Sequence, residues 1–181
     1  MARPRSVDRE QLLDVAESIV ASAGAASLSF GSLAKAAALS KATVQTAFGT
    51  REAMIEALLT RWMAREAEAY QAILGSDQSP AARLKAHLQS TQLQDDVGKA
   101  VSALLAALFG NGGASTAMQN WYWVRMENLE AVDFESRQRR LAYLAAEGVF
   151  LLKNLVGLDI DETKWNSIFE DIDELGASKS A

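Results

Sequence analysis

Apolar residues recur along this chain every three to four positions, and Gly-, Ser- and Pro-bearing breaks interrupt the recurrence. Leu12, Leu13, Ala16, Ile19 and Val20 form the first stripe, which Gly24 closes. Ser6 is the expected N-cap of that helix, with Asp8 in its first turn. Ser29 can cap a second helix running through Ala38, Ser40 a short third one to Phe48, and Thr50 a long fourth one to Gly75. After "GSDQSP" the pattern predicts helices over Pro80–Gln92, Asp95–Phe109, Ser115–Ala131, Phe134–Val156 and Asp161–Leu175. "GNGGAS" separates two of them. No alternating strand pattern of useful length occurs, so the expected fold class is all-α, with about nine helices.

The third helix raises the functional question. Helices two and three are joined by almost nothing, which asks for a tight corner. Leu33, Ala34, Ala37, Ala38, Leu39, Val44 and Ala47 are all apolar and are expected to face inward. What remains outward is Lys41, Ala42, Thr43, Gln45 and Thr46. A helix laid in a major groove needs such groups: a cation for phosphate or guanine, amides and hydroxyls for base edges, methyls for thymine. A merely solvated polar face is the plainer alternative.

The stretch "LSFGSLAKAAALSKATVQTAFGTREAMIEALL" resembles the DNA-binding domain of TetR-type transcriptional regulators. Leu12, Ala16 and Gly24 fit that family's first helix, and the resemblance is specific over about Ser6–Leu59. Three positions differ from the family pattern: Ala38 replaces the turn glycine, Gly49 a proline-like corner residue, and Gln45 an aromatic. The resemblance implies DNA contacts from Ser29, Lys41, Ala42, Thr43, Gln45, Thr46 and Arg51. It also implies a helix-turn-helix domain over 1–51 and a larger helical effector-binding and dimerisation domain over 52–181.

Charge changes this picture modestly. Through residue 51 there are six Lys or Arg against four Asp or Glu; afterwards there are twelve against nineteen, within chain totals of 18 and 23. A mildly basic head thus precedes an acidic body, and phosphate contact favours the basic part. Arg3 and Arg5 suit either a minor-groove arm or an ordinary terminus. With 49% hydrophobic and 23% charged residues the chain reads as globular. No run is long enough for a membrane span, and no signal-like segment follows the N-terminal arginines. The chain has no cysteine, which removes disulfides, thiolate chemistry and Cys-ligated zinc. The cytoplasm of a bacterium is the expected location.

In the body, Leu141–Val156 is apolar on nearly every side, so two faces need cover. Leu141, Ala145, Gly148 and Leu152, with Trp165, Ile168, Phe169 and Ile172 of the last helix, read as a homodimer seam across a two-fold axis. A purely internal core is the alternative. Trp62, Phe109, Met118, Trp121, Tyr122, Arg125 and Tyr143 read as the lining of a small-molecule effector pocket, with Arg125 beside aromatics suited to an anionic or planar compound. Plain core is again the alternative.

No catalytic constellation, cofactor motif or metal-ligand set stands out. His87 has no sequence-near partner, and "GNGG" lacks the residues of a phosphate loop. The expected function is a regulator, most simply a repressor, that binds a pseudo-palindromic double-stranded operator as a homodimer and is released by an effector. An all-helical dimeric adaptor that lost DNA binding is the second reading.

Overall fold

The computed structural model describes residues 8–93 and 116–177. Arg3, Arg5 and Ser6, the expected helix Asp95–Phe109 and "GNGGAS" lie outside them. The described residues form eight α-helices and two 3-10 turns, with no strand. No helix among them is long and apolar enough to cross a membrane. Their contacts divide into two compact units, one through Trp62 and one from Met63 onward.

The first unit holds α1 (Arg9–Ala23), α2 (Phe30–Ala36), α3 (Lys41–Phe48) and the start of α4 (Arg51–Leu74). Asp8, not Ser6, caps α1: its carboxylate accepts from the Glu10 amide at 3.0 Å. Ser29 caps α2 in a reciprocal box with Ser32. Ser40 caps α3 through the Thr43 amide, and the Thr50 hydroxyl accepts from the Ala53 amide at the start of α4. Leu12, Leu13, Ala16, Val20, Leu28, Leu33, Val44, Met54, Ile55, Leu58 and Leu59 are buried in this unit. Arg61 of α4 meets Asp14 and Glu17 of α1 and donates to the Glu10 carbonyl.

The corner differs from expectation. α2 ends two residues early, and Ala38 and Leu39 are exposed rather than inward. The cause is the turn itself. Ala38 adopts φ 54°, the left-handed region, and that reversal turns its side chain and that of Leu39 out to solvent. A Cβ is strained there, whereas glycine is not. Ala38→Gly should therefore raise stability by about 1 kcal/mol, seen as an upward shift of the urea midpoint with unchanged slope.

The second unit holds the remainder of α4, then α5 (Pro80–Gln92), α6 (Thr116–Arg125), α7 (Phe134–Asn154) and α8 (Glu162–Ala177). Pro80 sits at the first turn of α5 behind the Ser79 cap. α6 stops at Arg125, short of the expected Ala131, because Glu127 and Leu129 take positive φ in a 3-10 turn. α5, α7 and α8 pack on one another around Leu84, Leu88, Tyr143, Ala146, Phe150, Trp165, Phe169 and Ile172. Trp165 Nε1 donates to the Gln92 carbonyl at 3.0 Å, tying α8 to the end of α5. Gly176 permits this closure. A Cβ there would overlap Leu84 and stand 3.3 Å from the Ala142 Cβ.

Candidate nucleic-acid interface and effector cavity

α3 is built to show one face. Val44 and Phe48 are buried at 0% and 6% exposure, which turns Lys41, Ala42, Gln45 and Thr46 to solvent. Thr43 is half-buried, and its hydroxyl is 2.7 Å from Ser40 Oγ. Thr46 Oγ1 donates back to the Ala42 carbonyl at 2.9 Å. Both hydroxyls are thus engaged within the helix, leaving the Gln45 amide, the Lys41 ammonium and methyl groups outward. The Phe48 ring carries the Arg9 guanidinium 5.2 Å from its centre.

Two residues proposed for DNA contact serve the local fold. The Ser29 hydroxyl accepts the Ser32 amide as the α2 cap. Arg51 donates from Nε to the Leu28 carbonyl at 2.9 Å and from Nη2 to the Ala25 carbonyl at 3.2 Å. It is half-buried in this position and satisfies carbonyls of the turn before α2. Arg51→Ala should accordingly cost the first unit about 1–3 kcal/mol in thermal or urea unfolding, as two carbonyls lose a charged donor.

In the second unit a cavity of about 550 Å³ is bounded by α4, α6 and the start of α5. Of the expected lining residues it contains Trp121 and Arg125. Met118 and Tyr143 are buried in the packing, Trp62 belongs to the first unit, and Phe109 lies outside the described residues. Sequence reading missed Tyr70, Gln71, Leu74 and Arg83. The available signal was Glu66, Tyr70 and Leu74 at four-residue spacing, one face of α4 carrying an acid, an aromatic and an aliphatic residue.

Arg125 does not have a free charge to offer. It is 8% exposed and pairs through Nη2 with both carboxylate oxygens of Glu66, itself 7% exposed. Its guanidinium lies 3.5 Å from the centre of the Tyr70 ring and 5.1 Å from that of Trp121. Burial pulls the Arg125 guanidinium below its ordinary value, against the opposing field of Glu66.

A second polar cluster lies near this pair. His87, 1% exposed, places Nε2 3.3 Å from Glu147 Oε1, off the hydrogen-bond direction. So the lone histidine does have an acid partner, supplied by α7 rather than by its own helix. Its ring is 5.0 Å from that of Tyr143. Burial pushes the Tyr143 phenol well up, and burial followed by Glu147 does the same to Tyr122. Both phenols are therefore neutral, and the buried Tyr143 hydroxyl has no hydrogen-bond partner among the described residues.

The proposed seam residues divide. Leu141 and Leu152 are 48% and 44% exposed, and a Cβ built on Gly148 would meet no described residue beyond its own stretch of helix within 4 Å. Trp165, Phe169 and Ile172 are buried inside the chain at 5%, 3% and 6% exposure. The reason is that α5 and α7 already cover that face of α8. Ala145 and Ile168 are half-buried against the same core.

Comparison with known proteins agrees with this architecture. A family model described as "Tetracyclin repressor-like, C-terminal domain" matches residues 81–177, more than half of the chain. No curated protein sequence matches significantly. Among solved structures, a TetR-family transcriptional regulator from Pectobacterium atrosepticum superposes with TM-score 0.60 at 22% identity, covering 91% of this chain and 88% of the other. A protein of Streptomyces coelicolor A3(2) described as a transcriptional regulator gives TM-score 0.62 at 16% identity, with coverage of 94% and 98%. The multidrug binding protein EbrR, solved with imidazole, gives 0.58 at 17%, with coverage of 91% and 93%. At these identities the structures speak for the fold, and the family match over the body speaks for descent: the chain belongs to the TetR family of transcriptional regulators.

Proposed function

We propose that the protein is a homodimeric repressor of the bacterial cytoplasm that binds a pseudo-palindromic operator through α3 and leaves it when a small molecule fills the body cavity. The observation that carries the reading is the exposed set on α3: Lys41, Ala42, Gln45 and Thr46 face solvent while Val44 and Phe48 anchor the helix. A two-fold axis would present two such helices to successive major grooves, about one DNA turn apart or a multiple of it. Release needs an effector that binds the DNA-incompetent arrangement more tightly than the competent one.

The α7 stripe supports the dimer. Leu141, Ala145, Gly148, Leu152 and Leu155 follow one another at intervals of four and three, the spacing of a helix–helix seam. Leu144 adds a further exposed leucine beside it.

Selection of bound duplexes from genomic DNA, followed by anisotropy titration at several salt concentrations, tests the DNA reading. Gln45→Ala should cost about 1–3 kcal/mol against the selected operator and relax choice at one base pair per half-site. Lys41→Ala should weaken operator and random duplex alike and reduce the salt slope by about one unit for each phosphate that is no longer neutralised. If no duplex is enriched and neither variant changes binding, α3 is not a recognition helix and the chain acts as a dimeric adaptor.

A further inference from the structure

The wall of the body cavity has a sign. Among its described lining residues are two guanidinium groups, Arg83 and Arg125, and no carboxylate. The two differ in what they have left to give. Arg125 is paired with Glu66 and reaches Ser90 Oγ at 3.4 Å. Arg83 donates Nε to the Gln78 carbonyl at 3.1 Å, and no carboxylate among the described residues lies within ion-pair distance of it. Burial raises the Tyr70 phenol, and the charges of Arg125 and Arg83 oppose that rise. This cation stands in the part of the chain where acids outnumber bases, nineteen to twelve after residue 51. The rest of the described wall is aromatic at Tyr70 and Trp121, aliphatic at Met63, Ala67, Leu74 and Val124, and carries the neutral amides of Gln71, Gln78 and Asn120.

We infer that the cavity takes a flat aromatic carboxylate, with its ring against Trp121 and Tyr70 and its carboxylate on the Arg83 guanidinium. The fork of donors on arginine matches a planar carboxylate in two parallel bonds, and aromatic faces match an aromatic ring. A cavity of about 550 Å³ admits an acid of two fused rings. Arg125, which sequence alone made the anion site, instead holds the Tyr70 ring in place from behind its own ion pair. The inference rests on the effector-responsive reading and names its ligand class.

Calorimetric titration of the full-length protein with 1-naphthoate, its neutral amide and the cation N-methylquinolinium tests it without DNA. Naphthoate should bind, and the amide should bind about tenfold or more weakly, the loss of one charge-assisted hydrogen bond. Arg83→Gln should bring naphthoate down to the level of the amide and leave the amide unchanged, while Arg83→Lys should keep most of the preference. Circular dichroism confirms that both variants are folded. Equal or tighter binding of the amide or the cation, an unchanged preference in Arg83→Gln, or no binding of any probe at millimolar concentration overturns the inference. Operator release is measured separately. Naphthoate that binds as expected but leaves an operator complex intact supports the cavity's specificity and removes the effector reading. A protein that binds no operator at all removes the repressor reading, while the calorimetric titration still decides the cavity's specificity.

Discussion

Glu66→Ala should destabilise the second unit by about 3–5 kcal/mol. Both partners of the Glu66–Arg125 pair are more than nine-tenths buried. Removing the carboxylate leaves a guanidinium without its counter-charge, and the Arg125 Nε already has no hydrogen-bond partner among the described residues. Desolvation then acts on an unpaired cation. The double change Glu66→Leu with Arg125→Met removes both charges and should recover most of the loss, since a buried pair contributes little beyond an apolar replacement of similar size. Urea unfolding of Glu66→Leu, of Arg125→Met and of the double closes the cycle. A Glu66→Ala protein as stable as the parent would mean that water reaches this pair.

Leu141→Asp with Leu152→Asp should convert the protein to a folded monomer and lower operator affinity by about 10²–10⁴-fold, through loss of the second binding head. These leucines are nearly half exposed in the chain, so a charge there costs the subunit little. In a dimer the same charges would be buried without partners. Phe169→Asp provides the contrast. Phe169 is 3% exposed and its ring centre is 4.7 Å from that of Trp165, so its replacement should unfold the body rather than split a dimer. Light scattering and melting curves distinguish the cases. A Leu141→Asp, Leu152→Asp protein that remains dimeric moves the seam off α7.

Much of the fold was legible because its signals are local. The Ser40 cap, Pro80 at the first turn of α5 and Gly75 after α4 each act within a few residues. The inward register of Val44 likewise followed from spacing, whereas the buried Phe48 was read only as the helix end. What sequence left ambiguous depends on partners far along the chain. Arg51 looks like a surface cation until the Leu28 and Ala25 carbonyls are brought to it. Arg125 looks like an anion site until Glu66, fifty-nine residues away, takes its charge. Phe169 and Ile172 have the spacing of a seam, yet periodicity cannot say which neighbour covers a stripe. Here α5 and α7 do so from within the same chain.

The inward-turned threonine hydroxyls of α3 set a thermodynamic character for its surface. Thr46 spends its donor on the Ala42 carbonyl, and Thr43 shares its hydroxyl with Ser40. What Ala42 and Thr46 bring to a groove is therefore carbon, suited to the thymine methyl. Burying that carbon releases water rather than counterions. Its contribution would persist at salt concentrations that silence Lys41, and it would appear as a negative heat-capacity change on association. Binding an operator through α3, the protein would gain relative selectivity as ionic strength rises, because the contacts that salt weakens are the ones that read no sequence.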